Sequence, residues 1–172
     1  GWRYGVAPDN TSMDGWTLSA LTDAAHKAGW KVLTHTVTAD RGLVAARGGV
    51  DSLAHGLQDR DLTAEEVKAI AASKMAMIPT LAVYDPDKGG AGAKPDDPRY
   101  RQSVAKFGHA LHNVKALFDA GVPIGVGTDA GMPSTPHGTS TQHELELLVR
   151  AGLTPSQALV AVTATSARIM AE

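Results

Sequence analysis

The feature that most constrains this chain is an alternation of helix-length amphipathic stretches with short apolar or β-branched runs. Residues 17–29 (TLSALTDAAHKAG) space their apolar groups as a helix does, and Gly29 stands where a closing glycine belongs. Residues 30–36 (WKVLTHT) predict a strand, residues 40–48 a short helix ending at Gly48-Gly49, and residues 50–54 a second strand stopping at His55-Gly56. A helix opens at Leu62-Thr63, where Thr63 can cap the first turn and Glu66 can return the bond three residues on. Residues 75–81 form a buried strand, residues 100–120 a long helix ending at Gly121, and residues 122–127 a fourth strand stopping at Thr128-Asp129. Helices follow at 140–151 and from Thr154-Pro155, with Pro155 at the first helical position. Strands separated by helices pair as parallel neighbours through right-handed crossovers, so the expectation is an α/β chain with four parallel strands. No internal repeat and no Pro-, Gly- or Ser-rich linker divides the 172 residues, which suit one domain. Residues 85–99 (DPDKGGAGAKPDDPR) are a long loop without helix or strand pattern, a class that tends to be functional or mobile.

Composition narrows the chemistry. Hydrophobic residues make up 43 % and charged residues 20 %, as in a soluble globular protein. The formal charge is −2 and no basic block is present, which argues against nucleic acid or an anionic membrane as partner. There is no cysteine, so a metal site would have to use His, Asp and Glu, a donor set suited to zinc, manganese or iron. No apolar run approaches the roughly 20 residues of a membrane span. The first residues, GWRYGVAPDNTSMDG, do not form a signal peptide, and a cytoplasmic location is the expectation; a leader on a preceding segment stays open.

The polar residues fall at telling places. His35 ends the first strand, His55 follows the second, and Asp129 follows the fourth. In parallel α/β folds the reactive groups gather at the carboxyl ends of strands. Two neutral imidazoles and a carboxylate meeting there suit a borderline divalent metal such as zinc. The pattern equally allows hydrogen-bonded core histidines and an aspartate that caps the next helix, so position alone leaves both readings open. Tyr84 follows the third strand, and His137 lies in the loop after Asp129. His26, His109 and His112 read as helix-surface residues, Arg47 and Asp51 as structural ion-pair or hydrogen-bond partners, and Glu144 as an anchor for the loop before its helix. The order Gly125-Val126-Gly127-Thr128-Asp129 lacks the later glycine and helix start of a dinucleotide fingerprint, and no Gly-x-Ser-x-Gly elbow occurs.

Several stretches, in this order and spacing, resemble the amidohydrolase superfamily, in its branch of imidazolonepropionase-like enzymes and prolidase-type metal-dependent dipeptidases. They are Ala24-Ala25-His26-Lys27-Ala28-Gly29 leading to Val32-Leu33-Thr34-His35, Gly49-Val50-Asp51-Ser52-Leu53-Ala54-His55-Gly56, and Pro79-Thr80-Leu81. Gly127-Thr128-Asp129-Ala130-Gly131, His137-Gly138 with Glu144-Leu145, and Ala151-Gly152-Leu153-Thr154-Pro155 with Ala158-Leu159 and Thr163 continue the series. The resemblance implies a (β/α)8 barrel of the TIM type, of which this chain supplies about four β/α units, strands five to eight, and a C-terminal helix. It implies a divalent metal, zinc first, as one or two ions, and no organic cofactor. His35 and His55 resemble the ligands after strands five and six. Asp129 resembles the eighth-strand aspartate that binds metal and serves as general base. His137 and Tyr84 would face substrate.

The implied reaction is hydrolysis of an amide bond in a dipeptide or acylated amino acid by a metal-activated water. The family also carries a His-x-His pair after its first strand and, in many members, a carboxylated lysine after its fourth. This sequence has no His-x-His and no lysine before residue 17. Trp2-Arg3-Tyr4-Gly5-Val6, within residues 1–16, would be the loop or remnant of the preceding unit. About half of a barrel of roughly 250 residues is therefore absent. The expected partners are the missing N-terminal half-barrel, or a second copy joined through the open face. The alternative reading is a non-catalytic half-barrel acting as a fragment or assembly module.

Overall fold

The computed structural model describes residues 13–88 and 94–170. The expected remnant Trp2-Arg3-Tyr4-Gly5-Val6 and residues 89–93 of the long loop lie outside them. Helix α1, Gly15–Lys27, starts two residues before the predicted position because Asp14 caps it, its carboxylate accepting from Thr17 N at 2.7 Å. Gly29, at φ +78°, lets the chain reverse so that Trp30 N reaches Ala25 O at 2.9 Å. Strand β1 (Leu33–His35), helix α2 (Ala39–Arg47), strand β2 (Ser52–Ala54), helix α3 (Ala64–Ala72) and strand β3 (Ala76–Ile78) follow in strict alternation. The capping box at α3 forms as expected, with Glu66 N on Thr63 Oγ1 and Thr63 N on Glu66 Oε2.

Strands β1, β2 and β3 form a parallel sheet in that order, with Leu33 opposite Ser52 and Leu53 opposite Met77. The strands are shorter than the apolar runs that encode them, because the flanking residues turn towards the helices or the carboxyl-end loops. Leu53, Met77, Ile70 and Leu117 are buried in a single core between the sheet and the helices. Among the described residues no helix is long and apolar enough to cross a membrane.

The predicted fourth strand differs. Residues 122–127 run parallel beside β3 but reduce to one bridge, Met77 with Ile124, so among the described residues the sheet has three strands and not four. Met77 N donates to Pro123 O at 2.9 Å and Gly125 N to Met77 O at 2.8 Å. Pro123 has no N–H to extend a ladder. On the outer side Val126 N donates instead to Ser166 Oγ at 2.9 Å. The glycines here serve close approach: a Cβ on Gly127 would sit 2.6 Å from Ile78 Cγ2, and one on Gly125 2.8 Å from Ile169 Cδ1.

After β3 the chain makes the 3₁₀ turns Leu81–Tyr84 and Pro86–Lys88 before the long helix α4, Pro98–Asp119. Helix α5 (Thr139–Ala151) packs on the first of these turns and on α4. The C-terminal helix comprises α6 (Pro155–Val160), a π-helical stretch Ala161–Thr165 and α7 (Ser166–Met170), and opens with a capping box between Thr154 and Gln157. Among the described residues β1 is the opposite edge of the sheet, with Leu33 54 % exposed.

Candidate metal centre

The parallel register brings the carboxyl ends of the strands to one level, and the predicted site residues stand there. His35 is the last residue of β1, and His55 follows β2 directly. The rings of His35 and His55 meet edge to face, with centroids 4.3 Å apart. His55 is buried, at 6 % exposure, and takes the left-handed conformation at φ +78°. Its N–H is held by Ile78 O at 2.9 Å, which ties the end of β2 to the end of β3. A non-glycine residue in this region signals a constraint imposed by its surroundings. Thr80, at φ +48°, and Asp129, at φ +54°, share it at the same end of the sheet.

The Nδ1 atom of His55 lies 2.6 Å from Thr80 Oγ1. That bond occupies one ring nitrogen and leaves Nε2 as the other coordinating position. Tyr84 presents its ring edge to face against His55, with centroids 5.7 Å apart. Burial pushes the His55 imidazole down to about 4, with the adjacent His35 adding to the depression and the Asp129 carboxylate opposing it. Burial lowers His35 as well, again against Asp129. Both rings are thus neutral near pH 7, the form that ligates metal.

Asp129 acts on both imidazoles through its charge. Among the described residues, however, no three His, Asp or Glu side chains are arranged to grip one ion. The structure therefore brings His35 and His55 together and puts Asp129 within electrostatic reach of both. Two neutral imidazoles and one carboxylate are a donor set that fits a divalent metal, with coordination left for donors from elsewhere.

His137 is exposed in the loop after Asp129. Its Nε2 lies 3.5 Å from where a Cβ on Gly131 would stand, an ordinary contact distance, so the ring lies against the turn that follows Asp129. His26 and His109 pair with carboxylates, His26 with Asp51 and His109 with Asp61, at 2.8 and 2.7 Å. Two residues have roles the sequence reading did not assign. Thr80 orients His55; its signal was a hydroxyl at the end of a strand, level with the two histidines. Glu144 anchors the turn after β3, through Leu81 N and Ala82 N, where the loop before its own helix was expected.

The depressed His55 pKa carries a pH signature. The unfolded chain takes up this proton near pH 6.5 and the folded chain near 4, so stability from this group is full above about 6.5 and is lost as pH falls through about 4. Glu144, pushed by burial up to about 8, has the opposite sign: its contribution is full below 4.5 and is lost as pH rises through about 8. Comparing the chain with His55→Gln cancels the Glu144 contribution. Urea unfolding of the two proteins between about pH 7 and 4 is expected to show the wild-type advantage shrinking by up to about 3 kcal/mol. A constant difference would contradict a neutral, buried His55.

The amidohydrolase family model matches residues 2–171. The chain belongs to the amidohydrolase family. Its curated relatives include uncharacterized proteins of Mycobacterium tuberculosis and Mycobacterium bovis, each 33 % identical over 145 residues. These matches cover 83 % of this chain and 37 % of the relative, so the chain spans well under half of their length. Among solved structures, a Bifidobacterium longum protein described as a prolidase is 31 % identical, with a TM-score of 0.75 over 92 % of this chain and 40 % of that one. A Xaa-Pro dipeptidase crystallised with methionine in its active site is 22 % identical, with a TM-score of 0.75 over 93 % of this chain and 38 % of that one, and at that identity shows a shared fold alone. The amidohydrolase described here is thus an α/β chain whose fold matches a part of larger prolidase-like barrel proteins.

Proposed function

We propose that this amidohydrolase chain supplies strands five to eight of a (β/α)8 barrel, as a single partial domain, and hydrolyses the C–N bond of a dipeptide or acylated amino acid once the barrel is complete. The observation that carries the reading is the His35–His55 pair, neutral and edge to face at the carboxyl ends of β1 and β2, with the Asp129 charge beside it. Family membership and the prolidase-like relative of 31 % identity support the reaction class. The limited coverage of the relatives supports the partial barrel, whose remaining strands would close on the β1 edge from the rest of the polypeptide or from a second chain.

His35, His55 and Asp129 would hold a divalent metal, zinc first. Such an ion, when bound, lowers the pKa of water towards about 7 and polarises a carbonyl. The residues divide the remaining work. Thr80 fixes the ring of His55 through Nδ1, which leaves Nε2 for the ion. Asp129 takes the proton of the attacking water on its carboxylate as the water oxygen bonds to the carbonyl carbon, and then delivers it to the departing nitrogen as the C–N bond breaks. Tyr84 and His137 would border the substrate.

The reading is tested on the purified chain by elemental mass spectrometry and solution mass. Hydrolysis of a panel of dipeptides, including Xaa-Pro, and of N-acyl amino acids is then followed with and without added zinc. Retained metal with metal-dependent release of amino acid supports the enzyme. A chain that holds no metal and cleaves nothing, alone or joined to the N-terminal half, supports the non-catalytic half-barrel instead.

A further inference from the structure

We propose that Glu144, seconded by its neighbour His143, is a positioning residue that holds the His55 imidazole in one orientation through the turn that follows β3. Glu144 is fully buried, and its two carboxylate oxygens accept from two consecutive amides, Leu81 N at 2.8 Å and Ala82 N at 2.7 Å. These are the first amides of the 3₁₀ turn Leu81–Tyr84, which otherwise lack partners as the opening amides of any helical turn do. The residue before them is Thr80, buried and held left-handed at φ +48°. A β-branched side chain keeps that conformation only where its surroundings impose it. Thr80 is also the residue whose hydroxyl meets His55 Nδ1 at 2.6 Å.

The far end of the same turn is fixed from the same helix. Asp85 is 1 % exposed and lies 2.7 Å from His143 Nε2. Between these two anchors stands Tyr84, whose ring contacts His55. Two consecutive residues of α5 thus hold both ends of residues 80–85, and that segment makes two contacts with the His55 ring, through Thr80 Oγ1 and the Tyr84 ring, beside the packing of His35. Burying a carboxyl group opposes folding. Here that cost is offset because one side chain fixes both opening amides of a strained turn.

The importance of this orientation rests on the metal-hydrolase reading, but its test uses neither metal nor substrate. The ¹⁵N-labelled full chain is examined by long-range ¹H–¹⁵N correlation of the imidazoles at neutral pH. In the wild type, His55 is expected to show two well-separated ring-nitrogen shifts, those of one tautomer. Thr80→Val, which removes the hydroxyl, is expected to collapse the separation towards the averaged value. Glu144→Gln keeps the shape but sets an NH₂ donor against one of the two amides, and is expected to give the same collapse. Leu145→Ala, a half-buried control on the same helix, is expected to leave the His55 shifts unchanged even where the melting temperature falls. If Glu144→Gln does not fold, His143→Ala, which removes one partner of Asp85, carries the test with a partial collapse. Wild-type His55 shifts in the folded Glu144 variant, or in His143→Ala where that variant carries the test, alongside a collapse in Thr80→Val, would overturn the proposal and leave Glu144 a structural cap. A chain that bound no zinc and cleaved nothing would count against the hydrolase reading while leaving these shifts as they are.

Discussion

Asp129→Asn is expected to lower kcat of the complete, metal-loaded protein by about 10²–10⁴-fold, the usual worth of a positioned acid–base group. The substitution suits the site. Asp129 is exposed and left-handed at φ +54°, a conformation asparagine adopts as readily as aspartate. Fold and stability should therefore stay within about 0.5 kcal/mol, the range of ordinary surface changes. An amide cannot accept the proton of the attacking water, nor return one to the departing nitrogen. KM is expected to move little, because the carboxylate acts on the reacting atoms and contributes little to binding the rest of the substrate. Steady-state kinetics with metal content measured on the same samples checks this. If metal content is unchanged and kcat stays near wild type, Asp129 is not the base. If metal and kcat fall together, Asp129 acts as a ligand first.

His55→Ala is expected to remove the retained metal altogether and activity with it. His55 is the buried member of the imidazole pair, and its pKa of about 4 keeps it neutral across the working range. The change also has a structural cost. Thr80 Oγ1 loses the partner it meets at 2.6 Å, and an unsatisfied buried hydroxyl costs about 1–3 kcal/mol. The variant should thus unfold at lower denaturant by the equivalent of about 1–3 kcal/mol while keeping its helices, which circular dichroism would follow. Elemental mass spectrometry reads the decisive quantity. Metal content equal to wild type would take His55 out of the coordination sphere, whatever the stability result.

Much of the fold was legible because it is written in neighbours along the chain. The capping boxes at Thr63–Glu66 and Thr154–Gln157 each join residues three apart, so residue type and spacing suffice to place them. The closing glycine at Gly29 is a local signal of the same kind. The alternation of helices and apolar runs likewise foretold a parallel arrangement, and the ends of those runs placed His35 and His55 at the carboxyl side. Residues 122–127 had the pattern of a strand and became a single bridge. Whether an apolar run completes a ladder depends on what its outer N–H groups meet, and Val126 N meets Ser166, 40 residues on.

The same division holds for the candidate centre. The sequence by itself determined which residues could carry chemistry at the strand ends, since strand pattern and residue type are local properties. Tertiary structure alone decided how they are held. Thr80 reaches His55 across 25 residues, and Glu144 reaches the Leu81 and Ala82 amides across 63 and 62. No periodicity encodes such contacts, because they exist only once the parallel register has brought the strand ends and α5 together. The left-handed backbone at His55, Thr80 and Asp129 has the same origin: none of these residue types prefers it strongly enough to be read in advance, and the packed carboxyl ends of the strands impose it.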